Sequence, residues 1–369
     1  MTYLITSSDA ESGTIETLPK TEGLTLVNAN DLANSNLKFT TRDKICITSE
    51  AAIEVVLKRL EDEARTNAII ALKDKYKFRQ LLTKIYSDYT FEKVALAEIA
   101  NLTIKEKSVI KPSKGCFGAA VKIIDTDTDM KRLETEIKEE LDKNGAVFSE
   151  VVLSKNEFIL ESFIEGEEYA VDMFYDENGQ PNITNIYYHP IPKQAAYLHM
   201  IYYTSQAIFQ KIYDKAIQFF TQLNEILKVR NFMIHGEFKL NANTLLPIEM
   251  NCMRYGGMGL GNLTYHAFGV NPYTCFINNQ APNWNEIWAN QPDSNSIFAF
   301  FVAYNGQTID KTTHKPNIAK LKKQFTKVIL ETIFDYQQQL AFGTFYLKET
   351  PANLERLLAI EFDDYFEAI

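Results

Sequence analysis

The chain is short of cysteine. It has four in 369 residues, Cys46, Cys116, Cys252 and Cys275, and no Cys-x-x-Cys pair. Neither a disulfide framework nor a zinc ribbon is indicated, and a reducing, cytoplasmic compartment is expected. A basic surplus is also missing: the formal net charge is −10. Nucleic-acid binding draws most of its affinity from Lys and Arg neutralising phosphates, so nucleic acid is not an expected partner. A small anionic ligand is still allowed, because a local cluster of cations can oppose a global negative charge. No run approaches the roughly 18 apolar residues of a membrane span. The opening MTYLITSSDAES has neither the basic start nor the apolar run of a secretory signal. No membrane partner is expected, and there is no internal repeat or low-complexity tract.

What is present is core-forming. Hydrophobic residues make up 46% of the chain, with 24 Phe and 19 Tyr. That excludes wholesale disorder and predicts a globular chain of two to three domains or one multi-lobed fold. Residues 1–72 read as a small α/β unit with strands at 3–6, 24–28 and 44–48 and a helix over 51–64. An amphipathic helix is expected from Asp74 to Tyr86, with Asp74 near its start. Strands at 108–112 and 119–124, a helix over 128–143 and a strand at 157–164 make a plausible lid. A further strand, 168–175, is joined to it at Glu165-Gly166. A long helix spans 205–228. Strands 232–240 and 245–251 flank Asn241-Ala242-Asn243-Thr244, a hairpin signal.

Some chemical-looking patterns carry little. Asp125, Asp127, Asp129 and Glu136 match a calcium-loop template whose sixth position should be Gly and is Met130, so a solvated turn is the better reading. Tyr255-Gly256-Gly257-Met258-Gly259-Leu260-Gly261 lacks the spacing of a dinucleotide or Walker loop. His189, His199, His266 and His314 have no metal-ligand spacing.

Three clusters gain meaning together. Lys111-Pro112-Ser113-Lys114-Gly115-Cys116-Phe117-Gly118 is a strand end followed by a loop with two glycines, able to set an ammonium and loop N–H groups against a phosphate. Glu161-Ser162-Phe163-Ile164, then Glu168, offer a strand edge to an adenine rim and a carboxylate to ribose hydroxyls. By themselves they read better as a solvated hairpin with acidic flanks. Glu237 lies on one strand of the third cluster, with Glu249 and Asn251 on the other, sharing a face. A two-residue turn would set the two acids on opposite faces; one extra turn residue pairs Glu237 with Glu249, and that register is predicted. Facing carboxylates need a cation between them, and carboxylate and amide oxygens select a hard ion such as magnesium.

Over about residues 73–275 the chain resembles the ATP-grasp superfamily of carboxylate-amine ligases. The resemblance rests on the order of its parts: Lys-Asp-Lys-x-x-x-Arg at 73–79, Lys111, the glycine loop, Glu161 to Ile164, Glu168, then Glu237, Glu249 and Asn251. It implies an α/β (α+β mixed) ATP-grasp fold. A pre-ATP-grasp unit would occupy 1–72, the ATP-grasp domain 73–290 with a mobile lid at about 101–160, and a C-terminal lobe 291–369. It also implies ATP and Mg2+, with Mn2+ as an alternative ion. Nucleotide contacts are implied at Lys75, Lys111, Ser113, Gly115, Gly118, Glu161, Ser162, Phe163, Ile164, Glu168 and Lys193, and metal contacts at Glu237, Glu249 and Asn251. Arg254 and His235 join Lys111 as implied catalytic residues, with His235 standing where some relatives place Arg. The implied reaction activates a small-molecule carboxylate as an acyl phosphate and joins it to an amine. The C-terminal Phe342-Gly343-Thr344-Phe345-Tyr346 tilts the reading toward amino acid or peptide-like substrates. A kinase on the same fold and an ATP-sensing module are the alternatives, and a homodimer is compatible with the sequence.

Overall fold

The computed structural model describes residues 1–7, 23–87, 89–115, 120–144, 154–191, 200–291, 295–306 and 308–369. At the N-terminus, β1 (Thr2–Thr6), β2 (Leu24–Asn28) and β3 (Lys44–Ile47) form a parallel sheet in the order β2-β1-β3. Tyr3, Ile5, Ile45 and Ile47 pack with Leu32, Phe39 and Val56. The helix expected over 51–64 is broken. A 3-10 turn, Glu50–Ala52, runs into a short helix, Ile53–Leu57, after which Leu60–Glu61 pairs with Phe39–Thr40. Asp62 then starts α1 (Glu63–Lys73), its carboxylate accepting from the N–H of Arg65. An aspartate that satisfies the N–H groups of the following turn favours a new start over continuation.

Asp74 ends α1 and caps α2 (Lys75–Leu82). Its backbone is extended, and its carboxylate accepts from Tyr76 and Lys77 N–H at 3.1 Å each. In one continuous helix Lys73 and Lys75 would point well apart. The break at Asp74 lets both reach the same region.

A second sheet is antiparallel, in the order β4-β7-β5-β6, from β4 (Phe91–Ala95), β5 (Ser108–Pro112), β6 (Lys122–Ile124) and β7 (Glu157–Ser162). Helix α3 (Met130–Asn144) covers it, and Leu133, Ile137 and Leu141, four apart, meet Val94, Ile110, Ile124 and Phe158. The edge strand β4 was not legible, because only Val94 of its five residues is buried. Strand β6 starts later than the expected 119: Ala120 has φ +54 and gives its N–H to Glu140 Oε1 at 2.7 Å, outside the ladder. In the calcium-like stretch, Asp125 accepts from Asp127 N–H and the Thr128 hydroxyl, while Asp129 caps the start of α3.

The largest sheet has eight antiparallel strands: β8 (Glu167–Tyr175), β9 (Pro181–His189), β10 (Met200–Thr204), β11 (Phe232–Asn241), β12 (Thr244–Cys252), β13 (Ile297–Tyr304), β14 (Lys327–Ile333) and β15 (Ala341–Glu349). Their order is β12-β11-β8-β9-β10-β13-β15-β14. Strands β7 and β8, adjacent in sequence, belong to different sheets rather than to one hairpin. On one face, Tyr169, Val171, Met173, Tyr175, Ile234 and Phe238 pack on α4 (Gln206–Leu227) through Phe209, Ile212, Ala216, Phe219, Phe220 and Leu223. Each large side chain buried there contributes about 1.5–3 kcal/mol. Alternation sends Glu168, Asp172, His235, Glu237, Lys239, Glu249 and Asn251 to the other face. Beyond β10, strands β13 to β15 extend the same sheet and gather their own core with helices Ile318–Lys322 and Pro351–Leu357. Among the described residues no helix is long and apolar enough to cross a membrane.

The link between β7 and β8 depends on Gly166, whose φ is +124 and where an added Cβ would lie 2.2 Å from the Leu240 carbonyl oxygen. Gly166→Ala is expected to lower stability by about 2 kcal/mol, read as a shift in the urea midpoint.

Candidate nucleotide and metal site

The hairpin of β11 and β12 pairs Glu237 with Glu249 and His235 with Asn251, so all four share one face. The predicted register is present, but the extra residue sits elsewhere. The turn has only Ala242 and Asn243 between the paired Asn241 and Thr244, and the ladder shifts between Glu237 and Phe238, which leaves Ile248 as a bulge. Pro247 has no N–H to give a ladder. The freed carbonyls are taken from α2 and the residues after it: Arg79 Nη2 donates to Ile248 O at 3.0 Å and the Tyr89 hydroxyl to Pro247 O at 3.1 Å.

Directly opposed residues in a sheet have Cβ atoms about 4.5–5.5 Å apart, and like charges at that distance repel. The two acids respond in opposite directions. Burial and the neighbouring Glu249 push the Glu237 carboxyl up, whereas Lys75 and Lys73 outweigh burial and hold Glu249 down. Lys75 Nζ is 3.3 Å from Glu249 Oε2 and also donates to Gly115 O at 3.1 Å. Two carboxylates and the Asn251 amide are hard oxygen donors on one face. Their repulsion is what a divalent cation would relieve, so the set fits magnesium. Among the described residues no group of three His, Cys, Asp or Glu side chains converges on one point; a cation here would complete its shell from other ligands.

Lys111 is also paired. Lys111 Nζ lies 2.6 Å from Glu161 Oε1, and Arg79 grips the same carboxylate through Nε at 2.5 Å and Nη2 at 3.2 Å. Burial opposes the Glu161 charge, but Arg79 and Lys111 hold its pKa at about 2. Burial, reinforced by Arg79 and Lys75 against the pull of Glu161, lowers Lys111. The Glu161 side chain therefore faces cations, and its backbone is paired on both sides, with Phe91 and with Val109. Ser162 donates its hydroxyl to Glu106 Oε1 at 2.8 Å, Phe163 N–H donates to Lys107 O at 3.1 Å, and the Lys107 ammonium lies 4.0 Å from the Phe163 ring centroid. Ile164 follows before the turn at Gly166. Ser113 is fully buried, 3.0 Å from the Ser154 hydroxyl, and its carbonyl accepts from Lys75 N–H at 2.7 Å. Gly118 and Lys193 lie outside the described residues.

Glu168 on β8 is held by His189 Nδ1 at 2.6 Å and Lys239 Nζ at 2.9 Å. Against its burial, the hydrogen bond to His189 and the charge of Lys239 keep its carboxyl below the ordinary value. His235 turns Nδ1 to Asp172 Oδ1 at 2.7 Å, and its Nε2 is 3.8 Å from Glu237. Asp172, fully buried, also accepts from Gly256 N–H at 2.9 Å and from the Tyr187 hydroxyl at 2.8 Å. Arg254 is paired rather than open: Nη2 reaches Glu50 Oε1 at 2.7 Å and Nη1 reaches Tyr255 O at 3.0 Å.

Sequence reasoning missed Arg79, Asp172, Lys239, His189 and Glu50 as members of this assembly. Arg79 stood in the quoted Lys-Asp-Lys-x-x-x-Arg stretch, and the even spacing of Glu168 and Asp172 placed them on one face. Glu50, far away in sequence, gave no signal.

Removing one partner of a buried ion pair costs about 3–5 kcal/mol. Glu161→Gln, which strands Arg79 and Lys111, is expected to lose that much. Glu161 and Glu50 both sit near 2 against an ordinary 4.5. Their stabilisation is complete above pH 4.5 and disappears as pH falls toward 2. Unfolding free energies measured across this window should fall less steeply in Glu161→Gln than in the wild type.

The ATP-grasp domain family matches residues 104–262. The sequence matches no curated protein. Solved structures with this architecture include an L-amino acid ligase from Bacillus licheniformis, at 16% identity and TM-score 0.67, covering 100% of this chain and 98% of that one. A phosphoribosylglycinamide synthetase from Anaerococcus prevotii has 15% identity and TM-score 0.57, with 100% and 99% covered. An N5-carboxyaminoimidazole ribonucleotide synthetase from Thermotoga maritima has 13% identity and TM-score 0.60, again with 100% and 99% covered. Residues 104–262 thus match an ATP-grasp domain, and the chain as a whole has the ATP-grasp fold.

Proposed function

We propose that the protein is an ATP-dependent ligase that activates a carboxylate as an acyl phosphate and joins it to an amine, releasing ADP and phosphate. The observation that carries this reading is the Glu237–Glu249 pair with Asn251 beside it and Lys75 3.3 Å from Glu249. That arrangement supports the reading, because anionic donors and an ammonium stand side by side in an ATP-grasp fold.

In this reading the segment Glu161 to Ile164 borders adenine, with the exit from the strand at Ser162 to Ile164 supplying the contacts, and Glu168, oriented by His189 and Lys239, meets ribose. Lys75 and Lys111 take phosphate oxygens. An ammonium has three donors, so each can keep its carboxylate or carbonyl partner and still offer a hydrogen. Gly115, Gly118 and Lys193 are assigned to the same phosphates. Glu237, Glu249 and Asn251 would hold magnesium, which supplies neutralisation of charge on the transferring phosphoryl group; manganese suits the same donors. The attacking carboxylate and the triphosphate repel one another, and the cations of this face offset that repulsion. Arg254 presents a guanidinium for the acid, and His235 lies between Asp172 and Glu237. The acyl phosphate must be kept from water, a task suited to the sheet of residues 91–162 as a lid. The L-amino acid ligase among the structural neighbours supports an amino acid as substrate. Cys46, Cys252 and Cys275 are free thiols, in keeping with the cytoplasmic location we assign.

Purified protein incubated with ATP, magnesium and a matrix of amino acids and amines should release ADP and phosphate only when an acid and an amine are both present, with a new amide mass. Phosphate retained on a product would instead identify a kinase. Glu249→Gln is expected to lower turnover by about 100-fold or more while nucleotide still binds; unchanged turnover would remove the metal assignment. Chelation of the divalent ion should stop the reaction, and added magnesium should restore it.

A further inference from the structure

Outside the pairs so far assigned to nucleotide and metal, the described residues hold a buried ionic cluster beside the metal face. Glu50, Lys73 and Arg254 reach it from three separate segments. Glu50 follows the carboxyl end of β3, the side of a parallel sheet on which ligands bind. Lys73 Nζ is 2.6 Å from Glu50 Oε2, and Arg254 Nη2 is 2.7 Å from Oε1, so one carboxylate holds two cations. The backbone is bent to make this contact. Met253, next to Arg254, has φ +63, uncommon for a residue with a side chain; it donates to Met233 O at 2.8 Å and accepts from Ile47 N–H at 2.9 Å. Such a conformation persists only where its surroundings over-determine it.

The cluster carries one positive charge more than it neutralises. Burial opposes every charge in it, yet Lys73 and Arg254 hold Glu50 at about 2, and Glu50 keeps both cations above their ordinary values. Its surplus lies within electrostatic reach of Glu249 and Glu237. An anion docking at Arg254 would therefore stand beside the proposed metal face.

We propose that Glu50 is a positioning residue for the acid substrate: clasped by Lys73, it fixes the Arg254 guanidinium at which the substrate carboxylate docks. The inference rests on the ligase reading above. Glu50 makes no ion pair with Lys75 or Lys111, the lysines assigned to phosphate, so its role separates acid binding from nucleotide binding.

The test is steady-state kinetics of the full chain with a substrate pair that turns over, varying acid and ATP separately for wild type, Glu50→Gln and Glu50→Asp, with melting temperatures alongside. Glu50→Gln should raise the KM for the acid by about tenfold or more and leave that for ATP within about twofold. Glu50→Asp, which keeps the charge, should recover part of the loss. An unchanged acid KM overturns the inference, as does an equal rise in both KM values, the mark of a merely structural role. If Glu50→Gln does not fold, the same split in Glu50→Asp decides. A wild type that turns over no pair removes the ligase reading and this inference with it; wild-type turnover with an insensitive acid KM removes this inference alone.

Discussion

Two carboxylates face one another across a pair of antiparallel strands, and most of the polar face is arranged to tolerate that. Glu237 and Glu249 would destabilise the hairpin if left alone. Lys75 and Lys73 flank the second acid from the two sides of the helix break at Asp74, so Glu249 keeps its charge while Glu237 is pushed toward its neutral form. The helix break, the bulge and the two lysines are thus parts of one electrostatic solution. A divalent cation would let both acids ionise.

Arg79 joins this solution to the rest of the chain. It is fully buried, and its guanidinium touches the Glu161 carboxylate of the four-stranded sheet and the Ile248 carbonyl of the bulge. One side chain from α2 therefore fixes β7 and the hairpin of β11 and β12 relative to each other. Lysine could not do this, because only a planar fork reaches a carboxylate in two places and a carbonyl in a third. The strands of the large sheet supply rigidity, with apolar residues on α4 and polar residues on the opposite face.

Much of this was legible in the sequence because it follows local rules. Asp74 announced the start of α2, and the period-2 pattern put Glu249 and Asn251 on one face. The Glu237–Glu249 register could be argued from what the acids would do. The bulge at Ile248 was not legible in position, since it depends on Arg79 reaching from 169 residues away. The break after Leu57 was hidden by apolar spacing that continued through Leu60, while strand pairing and the Asp62 cap won locally. Glu50 went unread for the same reason as the bulge: its partners are distant in sequence, and a lone acid carries no periodic signal.

The lysines of this face are already occupied. Lys75 faces Glu249, Lys111 faces Glu161 and Lys239 faces Glu168, on a protein of net charge −10. Among these lysines an arriving polyanion thus meets cations that already hold carboxylates, and the long-range attraction they exert is reduced. Its entry is an exchange of ionic partners at short range, inside a face too buried for mobile salt to screen strongly. Nucleotide affinity on such a surface is governed by how readily the resident carboxylates share their cations, and ionic strength becomes a weak control on it.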